Sequence, residues 1–103
     1  MRISVLTDNH PGSRTPAEHG LSYLIEYDGI MMLFDTGQSD MFLKNAKTMN
    51  ISMKNIDIII LSHGHFDHGD GLHYLKGGRL ICHPGCFVKR YRKRDNTYIG
   101  LKN

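Results

Sequence analysis

The sequence predicts an α+β fold with element order β-β-β-α-β-α-β, folded as one two-layer sandwich with the strands on one side and both helices on the other. A ferredoxin-like arrangement is one way to build it, because the order from residue 21 onward, β-β-α-β-α-β, is close to that set. Three observations carry the prediction. Asp28-Gly29 stands between two apolar runs, which is a strong short hairpin signal. An amphipathic stretch over 38–49 is followed by the apolar run "IDIIIL", giving a strand-helix-strand crossover, which implies parallel pairing and right-handed passage. The chain has 103 residues, enough for one modest core and not two.

Taken in order, "RISVLT" (2–7) is a first strand, stopped by the turn-rich "DNHPGSRTP". "LSYLIEY" (21–27) and "IMMLFD" (30–35) form the hairpin. Ser39 can cap a helix whose Phe42, Ala46 and Met49 share a face, with Asn50 as its stop. "IDIIIL" (56–61), with three consecutive isoleucines, reads as a strand buried on both faces. "GLHYLKGG" (71–78) reads as a short helix ended by glycines, and "RLICH" (79–83) as a further strand. Beyond Pro84, "CFVKRYRKR" fits helix or strand, and "DNTYIGLKN" a ragged end or a last strand.

Composition is that of an ordinary globular protein, with no apolar run approaching a membrane span. The N-terminus reads as a strand and not as a signal peptide, so the expected location is cytoplasmic, with no membrane partner. The net charge of +3 is unevenly placed, its excess lying in "KRYRKR". Lys89, Arg90, Arg92, Lys93 and Arg94 around Tyr91 could form a phosphate- or nucleic-acid-binding strip, although a solvated surface segment is the plainer account. Cys82 and Cys86 are too few for a disulfide scaffold and are expected as free thiols that pack as small hydrophobes.

The chemistry concentrates in "SHGHFDHGDGL". His63, His65, Asp67 and His68 occupy six positions at the end of the isoleucine strand. Imidazole and carboxylate donors suit Zn(II) first, and also Fe(II) and Mn(II). His63 and His65, two apart in an extended segment, point the same way and can reach one ion. Asp67 and His68 can turn toward a second ion, and Gly64 and Gly69 permit the tight path between.

"HGHFDH" resembles the H-x-H-x-D-H signature of the metallo-β-lactamase superfamily. "LFDTG" (33–37) resembles the family's first motif, and "TDN" (7–9) and "AEHGLSYLIE" (17–26) are similar to a branch that includes a dihydropterin-linked ribofuranosylaminobenzene phosphate synthase. The likeness runs from residue 1 to about 83. It implies that His63 and His65 bind a first metal, that Asp67 and His68 bind a second, and that Asp35 buttresses the site. In active members the metals lower the pKa of a shared hydroxide, and Asp67 would take the catalytic role of orienting it. Asp8, Asn9 and His19 lie in segments that come near the site in this branch.

The family's later ligands have no counterpart motif here. The resemblance therefore implies a single truncated metallo-β-lactamase-like domain over 1–103, the N-terminal half of an αββα sandwich, with an incomplete site. His83 is a candidate substitute ligand. The missing donors would come from a homo-oligomer, a dimer or larger, or from a separate chain. Three functions remain open at this point. One is a metal-dependent hydrolase-like protein on phosphate esters or related anions, with independent catalysis in doubt. The second is a metal-binding, non-catalytic protein. The third is a repurposed fragment that holds no metal and binds nucleic acid or phosphate through its basic segment.

Overall fold

The computed structural model describes residues 1–9 and 20–101. Five strands form one mixed sheet: β1 (Arg2–Thr7), β2 (Ser22–Tyr27), β3 (Ile30–Phe34), β4 (Ile58–Ile60) and β5 (Arg79–Ile81). They lie side by side in sequence order, β1-β2-β3-β4-β5. β1, β2 and β3 are antiparallel neighbours, and β3, β4 and β5 run parallel. This order excludes the ferredoxin-like variant of the expected fold, which interleaves its strands. The two-residue turn makes β2 and β3 antiparallel neighbours, and each later crossover advances the chain by one position.

The hairpin forms where Asp28-Gly29 predicts it. Both residues have positive φ, 50° and 77°, as a two-residue turn matching strand twist requires. The helix α1 (Met41–Thr48) follows, starting later than expected. Ser39 is not its N-cap. Asp40 holds that position without a side-chain cap bond, while the Ser39 hydroxyl accepts from the Met41 N–H at 3.2 Å. Asn50 does end the helix, at φ 59°.

The second helix departs more from expectation. A single helical turn α2 (Phe66–Gly69) arises inside the ligand-rich stretch, and a 3-10 segment continues it over Asp70–Tyr74. The helical turn thus begins at the ligands themselves and not after them. Leu75 is already extended.

The core lies on one face of the sheet. Leu6, Leu24, Leu33 and Ile59 from the strands meet Phe42 and Ala46 of α1, with Ile56 at the edge and Leu72 and Leu75 packed on from the 3-10 side. An irregularity in the β1–β2 register between Val5 and Thr7 lets Leu6 and Thr7 both turn inward. A second small cluster joins Leu61, Cys86 and Leu101. The isoleucine strand is not buried on both faces. Ile59 is buried, whereas Ile58 and Ile60, on the opposite face, are only half-buried, because the helices cover one side of the sheet.

The C-terminal segment is no ragged end. Residues 91 and 98 bridge as a small hairpin, and the Phe66 N–H donates to the Ile99 carbonyl at 3.0 Å. His65 bridges Gly100, and Leu101 packs where a side chain on Gly69 would stand. Residues 99–101 are therefore strapped against the ligand turn.

Candidate metal centre

The site sits beyond the C-terminal ends of β3 and β4, where parallel strands deliver the next residues into a shared crevice. Asp35 follows β3 and Ser62 to His68 follow β4, so parallel pairing brings the two segments together across 27 or more residues. Two cross-links fix the approach. The Asp35 N–H donates to the Ile60 carbonyl at 2.8 Å, and the Thr36 N–H to the His68 carbonyl at 2.7 Å.

Asp35 organises everything near it. It is fully buried and holds a left-handed backbone, φ 56°, which is uncommon for a residue with a side chain. Its Oδ1 accepts the Ser62 N–H at 2.7 Å. Its Oδ2 accepts the Ser62 hydroxyl at 2.6 Å and lies 2.7 Å from His68 Nδ1.

These bonds fix two tautomers. A carboxylate can only accept, so His68 Nδ1 carries the proton and its Nε2 keeps a free lone pair. The Ser62 hydroxyl spends its one hydrogen on Asp35, so at 2.8 Å it accepts from His63 Nδ1. His63 Nε2 is then also a lone-pair donor. One buried carboxylate sets one histidine directly and another through a serine, the arrangement by which an outer carboxylate prepares metal-binding imidazoles.

The potential ligands converge. Donor atoms of His63, His65 and Asp67 all lie within 4.8 Å of one another, as do those of Asp35, His63 and His68. The His63 ring centroid is 4.8 Å from that of His65 and 4.2 Å from that of His68. His68 Nε2 lies 3.9 Å from Asp67 Oδ2. The second group differs in kind from the first, because both Asp35 oxygens are already used as hydrogen-bond acceptors. The other group, His63, His65 and Asp67, with His68 beside it, is the candidate donor set. That set of two imidazoles and a carboxylate fits a divalent borderline cation.

The electrostatics agree. Burial, then the neighbouring His68 and His65, hold the His63 imidazole below its ordinary pKa, against the opposing pull of Asp35 and Asp67. His63 is thus biased toward the neutral form that a ligand needs.

The other candidates divide. Asn9 does not join either donor group; its Oδ1 accepts the Gly20 N–H at 3.0 Å. Gly20, at φ 135°, lies so close to the Asp67 carbonyl that a Cβ there would stand 1.9 Å from its oxygen. Asn9 therefore ties down the segment that backs Asp67. Asp8 is in neither donor group, and His19 lies outside the described residues. His83 is also in neither group, and its Nδ1 accepts the Gly85 N–H at 2.9 Å. Cys82 and Cys86 are free thiols, with Cys86 buried. Burial, then the adjacent Cys86 thiol, push the Cys82 thiol up.

The basic segment is not a uniform strip. Arg92 forks onto Asp95 through Nε–Oδ1 at 3.0 Å and Nη2–Oδ2 at 2.6 Å, and this bond with those from Thr97 pulls the Asp95 carboxyl well down. Arg90 donates to the Val88 carbonyl at 3.1 Å, and its guanidinium packs against Gly64. Lys89, Lys93 and Arg94 are exposed. Sequence reasoning missed Ser62, although it adjoins the ligand stretch. A serine there has no meaning until Asp35 is seen to face it.

Residues 15–82 match the metallo-beta-lactamase superfamily. An uncharacterized protein of Methanocaldococcus jannaschii is 38% identical over 104 residues, covering 96% of this chain and 40% of that protein. The 7,8-dihydropterin-6-methyl-4-(beta-D-ribofuranosyl)-aminobenzene-5'-phosphate synthase of the same organism is 40% identical over 99 residues, covering 84% of this chain and 34% of the synthase. A crystal structure described as a metal-dependent hydrolase of the beta-lactamase superfamily superposes with a TM-score of 0.84 at 37% identity, over 97% of this chain and 36% of the hydrolase. The chain thus spans well under half the length of each of these relatives.

Proposed function

We propose, for a chain that belongs to the metallo-beta-lactamase superfamily, that it is a divalent-metal-binding module of hydrolase type, with Zn(II) as first choice and Fe(II) or Mn(II) as alternatives. His63, His65 and Asp67 would hold one ion through three donors, the number that catalytic rather than closed structural zinc sites take from the protein. His68 would need further donors to hold a second ion, because His63 can give its free Nε2 to only one. Those donors would come from another chain.

A bound divalent ion supplies Lewis acidity and lowers the pKa of water. The chain's own residues do the rest. Asp35 and Ser62 keep His63 and His68 in the metal-binding tautomer. Asp67 would accept a proton or orient a water beside the ion. The relatives' activities, metal-dependent hydrolysis and synthesis of a ribofuranosyl phosphate compound, favour an anionic, phosphate-bearing substrate. The nucleic-acid alternative has weaker support, since Arg92 is already paired with Asp95.

The observation that carries the proposal is the Asp35–Ser62–His63 chain of hydrogen bonds ending on converged donors. Native mass spectrometry of protein purified without chelator, followed by Zn(II) and Mn(II) titration, tests it. One tightly held ion per chain is expected, and it should be lost in His63→Ala plus His65→Ala while the fold survives. A chain that stays metal-free at excess Zn(II) would overturn it.

A further inference from the structure

At the end of the sheet opposite the candidate metal centre lies a cavity of about 580 Å³. The segments that lead into β4 and β5, residues 53–57 and 74–78, form its walls together with Leu43 of α1. The volume falls within the roughly 300–1,000 Å³ of small-molecule sites. None of its lining residues belongs to the donor groups at the other end.

The floor is apolar and its walls are held by the main chain. Ile56 is buried, and Leu43, Met53 and Leu75 pack against the main core. The Asp57 N–H donates to the Met31 carbonyl at 3.0 Å, and the Met31 N–H donates back to Asp57 Oδ2 at 2.9 Å. The Arg79 N–H donates to the Asp57 carbonyl at 3.0 Å. Gly78 brings the other wall close. Its φ is 105°, and a Cβ there would stand 3.2 Å from the Ile56 carbonyl oxygen, so glycine lets the chain turn into β5 this near the floor.

The polar lining is lopsided in charge. Lys54 and Lys76 are exposed and line the same cavity. Elsewhere Arg2, Lys44 and Arg92 each meet a carboxylate, at Glu26, Asp40 and Asp95. Among the described residues neither Lys54 nor Lys76 meets one. The acidic residue of the lining is Asp57, whose Oδ2 is engaged by the Met31 N–H. Two ammonium groups against one carboxylate leave the lining with an excess of one positive charge. Tyr74, half exposed, adds an aromatic ring at the rim.

We propose that this cavity binds a small organic monoanion, with an apolar ring body on the floor of Leu43, Met53, Ile56 and Leu75 and a carboxylate head held by Lys54 and Lys76. The floor supplies affinity through the apolar area it covers, without regard to charge. The lysines select the anion, because a single negative charge balances the lining. A neutral molecule of the same shape gains the first contribution only. The site shares no residue with the metal centre, so metal-free protein binds the ligand equally well.

Backbone-amide NMR spectra of the labelled full chain in chelator, titrated with naphthoate, test the proposal. Shifts confined to Leu43 and residues 53–57 and 74–78 are expected, with a dissociation constant of about 0.1–1 mM for a ligand of this size. Naphthylmethanol, the same rings with an uncharged head, should bind about tenfold more weakly. Lys54→Ala plus Lys76→Ala should bring naphthoate down to the alcohol's affinity and leave the alcohol's own unchanged. Should that double variant fail to fold, raising salt to about 0.5 M does the same work on the unaltered chain, weakening naphthoate and sparing the alcohol. Equal affinity for acid and alcohol would overturn the proposal. So would shifts centred on 62–68 or on the sheet face away from α1, or none at millimolar naphthoate.

Discussion

Two stretches of this chain are dense in metal- and anion-binding side chains, and they behave in opposite ways. In 62–68 the polar groups converge, because Asp35 reaches across from a neighbouring strand and draws Ser62, His63 and His68 into one network. In 82–95 the groups satisfy themselves locally. His83 takes the Gly85 N–H, Arg92 takes Asp95, and Arg90 takes the Val88 carbonyl. Donor density therefore does not make a site. A buried charge supplied from elsewhere in the fold does, because only it can hold several donors against the entropy of their own side chains.

The sharpest way to break the contrast is to remove that charge. Asp35→Ala leaves the Ser62 N–H, the Ser62 hydroxyl and His68 Nδ1 without their buried acceptor. It should lower stability by about 2–4 kcal/mol in urea denaturation of metal-free protein, and remove tight Zn(II) binding. Unchanged metal affinity in a folded Asp35→Ala would show that the ligands converge without it.

Ser62→Ala is the finer probe. It cuts the relay from Asp35 to His63 and leaves the Asp35–His68 bond in place. The expected cost is about 1 kcal/mol, with Zn(II) affinity weakened about tenfold by competition titration. An effect on stability with none on affinity would assign the serine to structure alone.

Acid should act on 62–68 through His63. The folded state holds the His63 pKa below its ordinary value, so the unfolded chain takes up the proton first. Metal-free stability should hold above the ordinary histidine range and fall as pH drops from there through the depressed value. Melting curves between pH 8 and 5 would show this, and His63→Gln should flatten the slope. At the small end, His83→Ala and Arg92→Ala should leave Zn(II) affinity and melting temperature unchanged; a loss of metal in His83→Ala would make the second stretch part of the site after all.

How much of this was legible beforehand follows from the range of the forces involved. The hairpin at Asp28-Gly29 and the helix stop at Asn50 are local backbone preferences, and both formed where the residues predict. The ligand cluster within six positions was equally plain, since its spacing alone confines the donors. The first residue of α1 was misjudged because Ser39 can bond the Met41 N–H from outside the helix as readily as from its cap. The second helix was misplaced because its first turn is held by the Thr36 N–H and the strap at Ile99, contacts from distant parts of the chain.

By itself, then, the sequence determined the five strands, the hairpin, the one-sided helix and the identity of the ligand-bearing turn, since each rests on residues close together in the chain. Only the tertiary structure decided which donors meet. Parallel pairing of β3 with β4 places Asp35 against Ser62 and His68, and that pairing sets the histidine tautomers. The tertiary structure also decided which face of the isoleucine strand is covered, because burial of a strand's two faces depends on what packs there and not on the strand's own residues. Among the described residues the helices cover one face, and Ile58 and Ile60 on the other are left half-buried.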